Sequence, residues 1–90
     1  MSEIIKRATA GTMESSDAYV EISPADNGLT VTLDSVVQQQ FGKQIRSVVE
    51  EMLRENGVEK ANVRIIDRGA LECVIRARVE TAILRGKGEN

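Results

Sequence analysis

Hydrophobic and polar positions along this 90-residue chain switch between two periods. Ala18-Tyr19-Val20-Glu21-Ile22-Ser23 alternates, with Ala18, Val20 and Ile22 on one face, and Leu29-Thr30-Val31-Thr32-Leu33 does the same. Period two over five or six residues predicts half-buried strands. Between them, Pro24-Ala25-Asp26-Asn27-Gly28 is a turn signal, because Pro fixes its own φ and Asn-Gly tolerates left-handed backbone. Upstream, Ala8 to Met13 is a run of small residues with poor strand propensity. It reads as a strand because the polar turn Glu14 to Asp17 would close a hairpin onto Ala18–Ser23. The first third of the chain is thus expected to be a three-stranded meander.

At Asp34-Ser35 the period changes. Ser35 with Gln38 fits a capping box, in which each side chain satisfies a free amide of a helix start. Val37, Phe41, Ile45, Val48, Val49, Met52 and Leu53 then recur at helical spacing, with Gln39, Lys43, Arg46, Glu50 and Glu51 largely opposite. Gly42 costs this helix roughly 1 kcal/mol relative to Ala, and reads as a point of close packing. Asn56-Gly57 is a stop signal. Asn62 to Ile66 predicts a fourth strand, parallel to one strand of the meander through a right-handed crossover, and Asp67-Arg68-Gly69 turns the chain. Leu71, Cys73, Ile75, Ala77 and Val79 alternate as a strand would. The Ala, Leu, Glu and Arg content of Ala70 to Arg85 and the run Ala82-Ile83-Leu84 favour a helix, and a helix is expected, with Cys73 as a small residue in its core. Residues 1–3 and 86–90 read as frayed ends. The resulting expectation is one α+β domain over 1–90: a mixed four-stranded sheet in the order β-β-β-α-β-α, with two helices packed on one face.

Composition narrows the function. The net charge is −2, unevenly spread: Met1 to Asp34 holds six acids against two bases, and Ser35 to Asn90 holds ten bases against eight acids. With one Tyr (Tyr19), one Phe (Phe41) and no Trp, the chain lacks the basic clusters and stacking platforms of a nucleic-acid binder. An RNA-binding α+β domain is disfavoured on those grounds. There is no His, which removes the commonest general base and metal ligand. A lone Cys73 allows neither an internal disulfide nor a multi-cysteine metal site, and no His is present to activate it. A stand-alone enzyme is therefore the least favoured class, and no metal site is expected. No apolar run has the length of a signal peptide's core or a membrane span, so a soluble, cytoplasmic protein is expected.

The stretch that carries candidate chemistry is Ala10-Gly11-Thr12-Met13-Glu14-Ser15-Ser16-Asp17, a polar loop with two adjacent hydroxyls. Such loops are ordinarily solvated hairpin tips. Glu14 and Asp17 read as solvated turn acids, or as docking contacts for basic residues of a partner. Arg68, Arg76, Arg78 and Arg85 crowd the last helix. They read as a solvated face pairing with Glu72 and Glu80, or as a docking surface for a larger acidic subunit. Gly11 suits a close backbone approach at the sheet edge.

AGTMESSD (Ala10–Asp17) together with GALECVIRARVE (Gly69–Glu80) resembles the acyl carrier protein of citrate lyase, its gamma subunit, and the resemblance covers nearly the whole chain. In that family the Ser after Thr-hydrophobic-Glu carries a covalent arm on a phosphodiester. The resemblance implies that Ser15 bears 2'-(5''-phosphoribosyl)-3'-dephospho-CoA, with Ser16 the competing acceptor. It further implies a non-catalytic subunit that holds acetyl and citryl thioesters while citrate is cleaved to oxaloacetate and acetate. Its partners would be the larger alpha and beta lyase subunits and a prosthetic-group transferase. The alternatives are the carrier of malonate decarboxylase, which uses a similar arm, and a small interaction domain with no prosthetic group. The Asp-Ser-Leu attachment motif of helical fatty-acid carriers is absent.

Overall fold

The computed structural model describes residues 3–36 and 38–89, with side chains described for all of these except 38–40. Its elements are β1 (Ala8–Gly11), β2 (Ala18–Pro24), β3 (Leu29–Ser35), α1 (Gln38–Glu55), β4 (Ala61–Asp67) and α2 (Glu72–Gly86). They form a mixed four-stranded sheet with two helices, as the periodicity predicts.

The order of the strands departs from a meander. It is β1-β2-β4-β3. β1 and β2 form the expected antiparallel hairpin, but β4 inserts between β2 and β3, antiparallel to the first and parallel to the second. Burial explains the insertion. β4 carries the most apolar run of the sheet: Ala61, Val63, Ile65 and Ile66 are all buried while Asn62 and Arg64 face outward, and the strand with the most apolar surface to cover gains most from neighbours on both edges. β3 alternates Leu and Val with exposed Thr30 and Thr32, which suits an edge. The Pro24–Gly28 turn therefore spans the start of β4, where the Ala61 amide donates to the Gly28 carbonyl at 3.1 Å.

Both helices cover the same face. α2 packs on β1 and β2, α1 packs on β3, and the helices touch each other. The core joins Val20, Ile22, Val63 and Ile65 of the sheet to Val49, Leu53, Val79 and Ile83 of the helices. Each such fully buried aliphatic side chain contributes roughly 1.5–3 kcal/mol. Gly42 is buried, as close packing requires.

Several boundaries and exposures differ from expectation. The first strand ends at Gly11 instead of Met13. Ser35 is the last residue of β3, opposite Asp67, so helix α1 starts later than the capping pattern suggests. Val37 and the Gln38 and Gln39 side chains lie outside the described residues. Cys73 is exposed, because the helical phase of α2 turns Ile75, Val79, Ala82 and Ile83 inward and leaves position 73 outside. Phe41 and Leu71, read as members of apolar helix faces, are 48% and 71% exposed. Arg68 lies in the turn after β4, ahead of the helix. Past Arg85 the chain remains bonded: Gly86 is buried, its carbonyl accepts from the amides of Ile5 and Lys6, and the Lys87 ammonium donates to the Asn56 carbonyl at 2.5 Å.

The strand registers gather one end of the molecule. Gly11 of β1 lies opposite Tyr19, Ala18 of β2 opposite Asp67, and Asp67 of β4 opposite Ser35 of β3. The β1–β2 loop and the N-terminal ends of both helices therefore share one pole.

Candidate functional site

The loop between β1 and β2 sits at that pole, and its shape follows from three residues. Gly11 leaves the strand with φ +88°, and a Cβ there would lie 1.9 Å from the Ala18 carbonyl oxygen, so the two ends of the loop approach as only Gly allows. Asp17 organises the interior. Its Oδ2 accepts from the Thr12 amide (3.1 Å) and hydroxyl (2.6 Å), and its Oδ1 accepts from the Ala18 amide (2.7 Å). The Asp17 amide in turn donates to the Glu14 carbonyl at 3.1 Å, closing a turn over residues 14–17 with Ser15 and Ser16 at its two corners. Ser16 holds the left-handed corner, φ 67°.

The loop is fastened to the rest of the fold at two places. The Ser16 amide donates to the Arg68 carbonyl (2.8 Å), and the Arg68 amide donates to the Asp17 carbonyl (2.9 Å). The Arg78 guanidinium reaches from α2 to both Asp17 oxygens, at 3.0 and 3.1 Å. Asp17 is thus an internal anchor with a side chain only 14% exposed, and neither Asp17 nor Arg78 is a free docking charge. The two stretches that carry the family resemblance, Ala10–Asp17 and Gly69–Glu80, meet in this pair. The pairing has no signature in the sequence, since 61 positions separate the partners. Arg76 behaves as helical spacing predicts, bonding Glu72 at 3.0 Å, and it also meets Glu51 at 3.4 Å.

Arg78, the Thr12 hydroxyl and the Ala18 amide hold the Asp17 carboxyl well below the usual carboxylate range. A carboxylate with a depressed folded-state pKa stabilises the fold fully above its unfolded value near 4, and that contribution is lost as pH falls below it. Asp17→Asn is expected to lower stability at pH 7 and to remove part of the decline between pH 5 and pH 3. Urea unfolding at the two pH values checks this: an unchanged pH dependence in the variant would sink the assignment.

What remains accessible at the turn is Ser15, Ser16 and Glu14. Both hydroxyls are exposed. The Ser16 backbone is tied to Arg68, whereas Ser15 occupies the leading corner. Beside the loop, past Arg68, a groove of about 310 Å³ opens between the first half of α1 and the start of α2. Ile45, Val48 and Ile75 line it, Phe41 and Leu71 flank it, and Gln44 and Glu72 add polar groups, the Gln44 amide donating to Glu72 at 3.4 Å. Among the described residues no group of His, Cys, Asp and Glu has the geometry to hold a metal ion, and no helix is long and apolar enough to cross a membrane.

The turn offers exposed hydroxyls on an anchored loop, and comparison with known proteins identifies the class. The family model described as "ACP: Malonate decarboxylase delta subunit (MdcD)" matches residues 5–86. Citrate lyase acyl carrier proteins are similar over most of their length. That of Pectobacterium atrosepticum is 52% identical, covering 92% of this chain and 86% of its own. That of Escherichia fergusonii is 56% identical, covering 92% and 87%. The chain belongs to this acyl carrier family. A chain in the crystal structure of a Pseudomonas malonate decarboxylase hetero-tetramer in complex with malonate shares the fold, with TM-score 0.78 over 89% of this chain and 82% of that one, at 23% identity.

Proposed function

We propose that this protein is the acyl carrier subunit of a citrate lyase and that Ser15 is its attachment point. The observation that carries the site is the turn itself, which presents Ser15 at an exposed corner while Asp17 and Arg78 hold the turn in place. Identity above 50% to citrate lyase carriers supports the system. An exposed primary hydroxyl is the group a phosphodiester needs. The Ser15 oxygen forms a bond to phosphorus of the activated precursor, diphosphate leaves, and a base of the transferase takes the proton. The absence of His in this chain is therefore no obstacle. The group so attached, phosphoribosyl-dephospho-CoA, supplies a terminal thiol that holds acetyl or citryl as a thioester. A tether raises the effective concentration of that thioester at the active sites of the larger subunits. The protein's own residues hold and present the arm, in a cytoplasmic complex with the alpha and beta subunits.

Intact mass tests the site. Co-expressed with a citrate lyase prosthetic-group transferase and its precursor, wild type and Ser16→Ala are expected to gain the mass of the arm, and Ser15→Ala to gain none. An increment that follows Ser16 moves the site by one residue. No increment in any form, while a known carrier is modified in the same cells, removes the carrier reading.

The family model's description and the solved malonate decarboxylase chain favour a second reading, the carrier of a malonate decarboxylase. Modified protein mixed with purified lyase or decarboxylase subunits separates the two.

A further inference from the structure

Exposed apolar side chains are not spread evenly over this protein. Among the described residues six large hydrophobics are exposed, and four of them, Met13, Val36, Phe41 and Leu71, lie at the pole that bears Ser15. Two of the four, Phe41 and Leu71, flank the groove. The remaining two, Ile5 and Leu84, lie toward the C-terminal end of α2, where the Ile5 amide meets Gly86. Apolar side chains gathered at one pole around a groove are the kind of surface that takes an apolar or aromatic ligand.

We propose that the groove between α1 and α2 seats the adenine base of the arm on Ser15, so that the near half of the arm rests on the carrier and only the pantetheine half swings. This rests on the carrier reading above. The connectivity of the arm places the base suitably: one phosphoryl group and two linked riboses separate it from the Ser15 oxygen, and it is the first planar apolar group along the tether. At about 310 Å³ the groove is at the small end of ligand pockets, which run from about 300 to 1,000 Å³. It suits one ring system and not the whole arm. Phe41 offers an exposed ring for stacking, and Leu71 an aliphatic cover. The Gln44 amide has both a donor and an acceptor, and Glu72 has acceptor oxygens. An adenine edge presents the complements, an amino donor and ring-nitrogen acceptors. No Lys or Arg lines the groove, so phosphates gain nothing there. Arg68, exposed and bonded through its backbone to Ser16 and Asp17, lies between loop and groove, on the path the phosphodiester would take.

The experiment compares amide NMR spectra of unmodified and fully modified carrier, with modification verified by intact mass. The expected result is that the amides of Gln44, Ile45, Leu71 and Ile75 shift on modification together with those of the loop, and that adenine protons show contacts to the Phe41 ring. Phe41→Ala and Gln44→Ala are expected to gain the same mass and to lose the groove shifts. Both positions are exposed, and an unmodified-variant spectrum unchanged outside the groove verifies the fold. Full modification with shifts confined to residues 12–17 and 68 overturns the inference and leaves the carrier reading standing. Groove shifts that grow with concentration in the unmodified protein overturn it in favour of self-association. Groove shifts that appear only when lyase subunits are added overturn it in favour of a protein partner. Failure to gain mass removes the carrier reading and the inference together.

Discussion

Gly11→Ala is expected to lower stability by roughly 2–5 kcal/mol, combining a left-handed backbone cost of about 1–2 with an overlap cost of about 1–3. The methyl carbon would stand 1.9 Å from the Ala18 carbonyl oxygen and 3.0 Å from the Arg78 side chain at Cδ. The first contact is with backbone, and no rotamer change relieves it. The second is with the stem of the arginine that holds Asp17, so the substitution also pushes apart the pair that anchors the serine turn. For a domain of this size that loss corresponds to a melting temperature lower by about 8 °C or more, against a net stability on the order of 5–15 kcal/mol. Gly69→Ala supplies the control. Gly69 has nearly the same φ, +90°, but a Cβ there meets nothing within 4 Å, so only the backbone cost of about 1–2 kcal/mol applies. Thermal unfolding followed by circular dichroism reads both. Equal, small losses in the two variants would show that the hairpin yields at Gly11 and that the close approach is not rigid.

That comparison also shows which parts of this protein are legible in its sequence. Elements with a strong period are placed within a few residues: Ala18–Pro24, Leu29–Ser35, the body of α1 and β4. The role of Gly11 as a close-approach point at an edge strand is legible too, because Gly interrupting a short strand signals close backbone approach, whereas its left-handed φ of +88° is not. Strand order is not. Asn-Gly before an alternating run is a hairpin signal, yet whether β2 and β3 pair depends on which strand has the most apolar surface to bury, and that strand, β4, lies beyond α1. The ambiguous stretch after Gly69 shows the same limit. Composition correctly favours a helix, but the phase that exposes Cys73 and Leu71 is set by what β1 and β2 present to α2. The exposed turn that carries Ser15 is legible from its polar residues, and the proposal of Ser15 as the attachment point rests on the family resemblance. The Asp17–Arg78 bond that holds the turn is not legible, because long-range ion pairs leave no spacing to read.

Asp67→Ala is expected to cost roughly 3 kcal/mol, from two amides and one hydroxyl left without their acceptor at about 1 kcal/mol each. Asp67 is fully buried at the end of β4. It accepts from the Ser35 hydroxyl at 2.7 Å, from the Gly69 amide at 3.1 Å and from the Ala70 amide at 2.9 Å. It therefore ties the end of β3 to the turn that leads into α2. Within that turn stands Arg68, whose backbone carries the serine loop through Ser16 and Asp17. Two consequences follow. Asp67→Asn should lose only about 1 kcal/mol, since its carbonyl oxygen can serve both amides while its amino group donates to Ser35. Loosening of the turn should also reach the site: hydrogen exchange of the Ser16 and Arg68 amides is expected to quicken in Asp67→Ala and far less in Asp67→Asn. Denaturant unfolding gives the first comparison and exchange the second. A stability loss in Asp67→Ala with unchanged exchange at Ser16 and Arg68 would mean that the loop is held by Asp17 and Arg78 alone, and that the turn after β4 supports the groove side of the pole without positioning the serine.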